Sequence, residues 1–365
     1  MRVRHLEWLL GSMVVAAVVA GCSGGGSGAS PVAPPAASPA AAAGAGGAPQ
    51  SASAAAATPP ALESVRIVYT TIAAAQAPFW VAEEAGYFRE QGLDVPPLQR
   101  VEPGATLLAA LHNGEVDFVA AGGPSLVLGY LQGLETVILG STQDVIETEI
   151  VVQPDIRSVE ELRGKIIAVS RLKAISDLAA RLGIERYGLD PDRDVQIRGT
   201  GGNAESLAAL QTGTVAAASL SVPAVFEAHR RGFPTLIDVT AMRIPFTNGS
   251  VGATKSTLDR RQPAAEKVLR ALAQATARFK TDREFAARVV GKYSQIEDPD
   301  ALRGTVEVYA PLMQVDPYPS LSAVQAVLDA EENPAARTTR PEQVVDLRAA
   351  EALRRSGFLD RLPKE

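Results

Sequence analysis

Pro78-Phe79-Trp80-Val81-Ala82-Glu83-Glu84-Ala85-Gly86-Tyr87-Phe88, followed by Gly92-Leu93-Asp94-Val95, is the stretch on which the fold turns. Trp80, Val81, Ala85 and Phe88 recur at helical spacing, which predicts a helix over 79–91 that Gly92 ends. A strand over 93–101 should follow it, and a β-branched run over 65–69 precedes it. Downstream the rhythm repeats. Further strands are expected over 116–120, 136–139, 166–170, 194–198, 216–220 and 235–239, and helices over 126–132, 159–162, 176–187, 204–211 and 223–231. Such alternation is that of βαβ units around a largely parallel sheet. After Asn248-Gly249 the pattern becomes almost wholly helical, so two α/β blocks and a helical tail are expected.

The N-terminus has a different character. Arg2 and Arg4 supply a basic start, and an apolar run from Trp8 to Ala20 is interrupted only by Gly11 and Ser12. This is a signal-peptide layout, shorter than the roughly 20 apolar residues of a membrane span. Val19-Ala20-Gly21-Cys22 resembles the lipobox of bacterial lipoproteins, which predicts a signal peptide over 1–21 and lipid on Cys22. Residues 22–62 are almost entirely Ala, Gly, Ser and Pro, with Pro34, Pro35, Pro39, Pro49, Pro59 and Pro60 set against an alanine helix. That segment reads as a disordered tether, and the protein as exported and membrane-anchored.

Composition narrows the function. A net charge of -6 without a basic stripe argues against a nucleic-acid partner. Cys22 is the only cysteine in 365 residues, so no internal disulfide can form. Past the signal segment the histidines are His112 and His229, far apart, with no paired-His metal spacing and no nucleophile elbow. Neither a cofactor nor a metal is expected, and the chain reads as no enzyme.

The opening stretch resembles the start of the substrate-binding proteins for nitrate, taurine, aliphatic sulfonates and thiamine precursors, the group similar to the thiamine-pyrimidine-synthesis proteins. Asn113-Gly114-Glu115-Val116-Asp117-Phe118 and Leu162-Arg163-Gly164-Lys165-Ile166-Ile167-Ala168-Val169 look like its next signatures. Gly188-Leu189-Asp190-Pro191, the run from Ala209 to Ala217, and Pro223 follow in the same order. The resemblance implies a type II periplasmic-binding-protein fold, with two α/β lobes joined by two crossing segments near 149–152 and 247–252. Lobe 1 would comprise 63–150 with 248–365, lobe 2 would comprise 151–247, and the C-terminal helices would pack on lobe 1. It also implies capture of a small polar or anionic organic solute in the cleft, delivery to the permease and ATPase of an ABC importer, and a monomer. A lipoprotein that reports its ligand to a membrane receptor is the alternative, and a pyrimidine-synthase-like enzyme a more distant one.

Open α/β sheets bind ligands beyond the carboxyl ends of their strands. The loops to inspect are therefore 70–79 and 122–125 in the first block, and 170–177, 200–203 and 219–223 in the second. Gln76 and Phe79 lie in the first of these, Phe79 as a wall of the cleft and Trp80 as packing. Gly122 and Gly123 allow close backbone approach or form a plain turn, and Ser125 adds a hydroxyl. Ser170, Ser176 and Asp177 stand where the family places donors, although Ser176 and Asp177 could equally cap a helix. Lys173 suits an anion if it points inward and is solvent decoration if it points outward. Asn203, Ser219 and Ser221 offer small hydrogen-bonding groups, and Arg243 is a further cation near the return crossing.

Overall fold

Pro78 stands in the first turn of the helix Ala77–Glu84, where its missing N–H costs nothing. That helix stops before Gly86, whose φ of 74° suits a residue without a side chain, and a short helix, Tyr87–Glu90, follows. The single helix expected over 79–91 is thus two, because Gly86 ends the first before Gly92 ends the second. The strand expected over 93–101 is also divided. Pro96-Pro97 has no N–H to give a ladder, so Leu93–Asp94 and Gln99–Arg100 pair with different partners.

The computed structural model describes residues 61–363 apart from 103, 173 and 295. The signal segment, Cys22, nearly all of the expected tether and Lys173 lie outside the described residues. Twelve strands are described: β1 (Glu63–Ser64), β2 (Ile67–Tyr69), β3 (Leu93–Asp94), β4 (Gln99–Arg100), β5 (Phe118–Ala121), β6 (Thr136–Ser141), β7 (Glu149–Val152), β8 (Ile166–Val169), β9 (Gln196–Gly199), β10 (Ala217–Leu220), β11 (Thr235–Asp238) and β12 (Ser250–Thr254). β1 and β3 form a small parallel pair. The other ten make two five-stranded sheets, ordered β4-β2-β5-β12-β6 and β9-β8-β10-β7-β11.

The two sheets share one plan. Each has three mutually parallel strands, then an antiparallel strand, then an edge strand. β7 and β12 are the antiparallel members, and each enters its sheet directly after the chain has left the other. Apart from the half-buried Glu149 that opens β7, their residues are buried, as are those of β5 and β6, which is why these strands read as nearly continuous apolar or small runs.

The crossings themselves lie just before the strands expected to form them. Glu149–Val152 is already within the second sheet and Ser250–Thr254 within the first, so the crossings are the irregular segments 142–148 and 243–249, joined by an isolated bridge between Val145 and Pro245. They run antiparallel and bond to each other. Thr142 N donates to Gly249 O at 2.8 Å, Phe246 N to Asp144 O at 3.0 Å and Ile146 N to Ile244 O at 3.2 Å. β12 is a strand where the pattern after Asn248-Gly249 is otherwise almost wholly helical: its Ser-Val-Gly-Ala-Thr run lacks the β-branched density that marks a strand.

The long helix Lys255–Thr281 begins at Thr254, whose hydroxyl accepts from Thr257 N, and bends at Arg261 just ahead of Pro263. Its Ala264, Val268, Leu269, Leu272 and Phe279 stripe packs on the helix Ala77–Glu84, on Arg348–Arg355 and on β6 and β12. Most of the C-terminal helical tail therefore covers the first sheet. One helix, Pro299–Tyr309, also reaches the second sheet's covering layer. Asp298 at its start pairs with Arg230, and Gly304 lies against the Phe226 ring so closely that a Cβ there would stand 2.8 Å from it.

Candidate functional site

The carboxyl ends of β2 and β5 deliver two loops to the crossing segments. Gln76 closes the 3-10 turn Ala74–Gln76 after β2 and is 1 % exposed; its Oε1 has no hydrogen-bond partner among the described residues. Phe79 and Trp80, one turn on, are both buried in the core, so packing occupies both rings and Phe79 presents no open wall. After β5, Gly122 and Gly123 open the helix Gly123–Leu131, and Gly123 N donates to Thr247 O at 3.0 Å. A Cβ on Gly123 would stand 2.2 Å from Thr247 Cγ2 and 2.9 Å from Thr247 O. The close approach that Gly123 permits is to the second crossing segment. Ser125, half-buried, bonds through its N–H to Gly122 O at 3.1 Å.

The same place gathers the crossing residues. A Cβ on Gly249 would meet Thr142 Oγ1 at 2.8 Å, Ala75 O at 3.1 Å and Gln143 N at 3.1 Å. Gln143 is fully buried. Its Nε2 donates to Val145 O at 3.2 Å, and its Oε1 is left without a partner among the described residues. The first-sheet loops, Gln76 and the crossing segments thus form one polar lining.

On the second sheet the loops tie to one another. Ser176 Oγ accepts from Ser170 N at 3.0 Å and lies 2.7 Å from Ser170 Oγ, fixing the loop after β8. Gly201 N donates to Ser170 O at 2.8 Å, joining the loop after β9 to it. Asn203 Nδ2 donates to Ser221 Oγ at 2.7 Å, joining the loop after β10. Asp177 is buried and pairs with Arg181 one turn on, at 2.8 Å. Ser219 is fully buried on β10, its Oγ unpartnered among the described residues. Ser170 with Ser176, and Asn203 with Ser221, therefore form two hydrogen-bonded pairs on neighbouring loops. Arg243 is exposed, with a φ of 51°.

Two carboxyls of the crossing region have no counterpart in the sequence reading. Asp144 accepts from Ser141 Oγ at 2.6 Å and from Ser320 N at 2.9 Å, and burial pushes its carboxyl up from the usual range. Glu147 Oε1 accepts from Val222 N at 3.2 Å, next to Ser221, and Oε2 accepts from Tyr309 Oη at 2.6 Å. Burial, outweighing both bonds, pushes the Glu147 carboxyl up to about 8. The only sequence signal for this pair was acidic residues inside a stretch otherwise rich in small polar and β-branched ones, which also describes an exposed loop.

Strand order, crossings and loop chemistry can now be set beside known proteins. The model of the family described as NMT1/THI5 like matches residues 74–284, more than half of the chain. The chain belongs to the NMT1/THI5-like family. The family match begins at the turn that carries Gln76 and ends just past the long C-terminal helix. YtlA of Bacillus subtilis (strain 168), named as a candidate binding protein, is 22% identical over 270 residues, 72% of this chain and 80% of YtlA. The periplasmic aliphatic sulphonate binding protein SsuA of Escherichia coli is 20% identical with a TM-score of 0.62, the match covering 79% of this chain and 91% of that one. The periplasmic nitrate-binding protein NrtA of Synechocystis PCC 6803 is 12% identical with a TM-score of 0.60, over 83% and 99% of the two chains. The desulfurization enzyme DSZB shares the fold at 16% identity and a TM-score of 0.55, over 81% and 98%. This NMT1/THI5-like chain has the periplasmic-binding-protein fold.

Proposed function

We propose that the protein is an extracytoplasmic solute-binding lipoprotein that closes two lobes on a small polar or anionic organic solute and delivers it to an ABC importer. The observation that carries this is the pairing of two like sheets through two mutually bonded crossing segments, to which the helix start after β5 and, through Val222, the loop after β10 are both bonded. Lobe 1 is then the part up to residue 141 together with the part from 250 onward, and lobe 2 is 149–242, with the two crossings between them. Gln76, Gly122, Gly123 and Ser125 offer contacts from lobe 1, and Ser170, Ser176, Asn203, Ser219 and Ser221 from lobe 2. Among the described residues, the hydroxyls of Ser170 and Ser176 bond to each other and that of Ser221 accepts from the Asn203 amide, an arrangement of neutral donors and acceptors suited to holding a polar solute. YtlA, SsuA and NrtA support the same reading by their names.

Mass spectrometry of the natively purified protein should show a co-purified small solute. In a thermal-unfolding screen of sulfonates, carboxylates, nitrate and pyrimidines, one class should stabilise by about 2.7 kcal/mol at a hundredfold excess over its Kd. A screen without any shift, together with no co-purified solute, would remove solute capture as the function.

Cys22 is proposed as the lipid attachment site and residues 22–62 as the tether. Full-length protein expressed in a bacterium should sediment with membranes, and Cys22→Ser should move it to the soluble fraction with solute affinity unchanged. Sedimentation of the serine variant with membranes would exclude the anchor.

A further inference from the structure

Glu147 touches three parts of the molecule at once. It sits on the first crossing segment, its Oε1 accepts from Val222 N, and its Oε2 accepts from Tyr309 Oη. Val222 directly follows Ser221, which Asn203 holds in the loop set of the second sheet. Tyr309 ends the helix Pro299–Tyr309, and that helix packs on the turn Ala74–Gln76 of the first sheet as well as on Phe226 and Arg230 of the second. One buried carboxyl thus ties the Ser221 loop to the helix that backs Gln76.

We infer that Glu147 is a positioning residue, whose single proton sets how firmly the solute-contacting loops of the two sheets are held in register. This rests on the solute-binding reading for its use, though not for its test. Protonated, the carboxyl accepts from Val222 and shares a hydrogen with Tyr309, and the node carries no charge. Ionised, it places a negative charge inside the hinge. The groups facing it are Tyr309 from the C-terminal helix, Glu149 from β7 and Asp238 from β11, and the two carboxylates repel that charge. Glu149 is itself engaged, accepting from Thr235 and lying 3.6 Å from His229 Nε2. The charge is relieved by opening the node to water. Because the folded carboxyl holds its proton to about 8 and an unfolded one loses it near 4.5, the assembled state binds the extra proton between those values. Assembly is favoured at the low end of that window. Between those values opening gains up to about tenfold per pH unit, and above about 8, where the carboxyl is ionised in both states, the dependence levels off and the advantage is gone.

The test is hydrogen exchange by mass spectrometry on the full chain without added solute, following the peptide that contains Val222 from pH 6 to 9 and correcting for intrinsic exchange. In the wild type, opening should rise by up to about tenfold per unit from pH 6 and level off near pH 8. Glu147→Gln, which keeps an acceptor for Val222 and a donor for Tyr309, should be flat throughout. Tyr309→Phe removes a bond that favours the ionised form, so the levelling-off should move to higher pH. A wild type that is flat from pH 6 to 8, or the same rise in Glu147→Gln, overturns the assignment. If Glu147→Gln does not fold, an unmoved levelling-off in Tyr309→Phe overturns it alone. The measurement needs no solute, so its failure would leave the binding reading to stand or fall on the solute screen.

Discussion

Trp80→Ala is expected to destabilise the folded domain by about 3–5 kcal/mol, the range for emptying a large aromatic site in a core. Trp80 is fully buried, stacks on Tyr293 with ring centroids 5.1 Å apart at an interplanar angle of 5°, and meets Tyr69 edge-on at 5.8 Å. Its indole N–H has no partner among the described residues, so the cost is lost packing and a cavity, with no hydrogen bond broken. The neighbours cannot easily collapse into the space. Tyr293 is pinned by its hydroxyl, which donates to Glu83 Oε2 at 2.7 Å and to Glu84 Oε1 at 3.0 Å. Equilibrium urea unfolding of the two proteins measures the difference, and a loss below about 1 kcal/mol would show that the site refills. Because Trp80 lies one turn beyond Gln76, the same variant should loosen the turn that carries Gln76.

Gly123→Ala should cost about 1–3 kcal/mol, and Gly122→Ala next to it a small fraction of that. At Gly123 the added methyl would stand 2.2 Å from Thr247 Cγ2 and 2.9 Å from Thr247 O. Thr247 is fully buried and its hydroxyl lies 2.7 Å from Ser250 Oγ, so rotation of the side chain breaks a buried bond and leaves the backbone clash in place. At Gly122 the nearest atoms are Pro124 Cδ at 3.6 Å and Asn248 O at 3.9 Å, ordinary contacts, and its φ of -70° suits alanine. Thermal unfolding of the two variants side by side decides the matter. Equal effects would mean that the helix start does not bear on Thr247.

These two positions show what the sequence could and could not convey. Gly122-Gly123 was readable as a close approach or a plain turn, because a glycine announces that something is near without saying what. Its partner, Thr247, arrives only after the whole second sheet. The alternation of strands and helices was legible because each element carries its own periodicity, and it failed where one residue type interrupts: Gly86 within a helix pattern, Pro96-Pro97 within a strand pattern. β12 was hidden because small residues suffice in a strand flanked by two others. Among the site residues, the loops were chosen from strand ends alone. The bond from Asn203 to Ser221 and the Glu147 node link residues far apart in the sequence and leave no local trace. Phe79 is buried in the core, and helical spacing identifies such a face without saying which cavity, if any, adjoins it.

β12 lies between β5 and β6 in the first sheet, yet it follows every strand of the second. A chain emerging from its N-terminus cannot zip its first sheet shut until residue 254 is available, and until then β5 and β6 present bare edges across an empty slot. Completion depends on a contact between distant parts of the sequence, which slows folding. This late keystone acts as a timer: about two thirds of the chain, with every strand of the second sheet, has been made before the first sheet can lock.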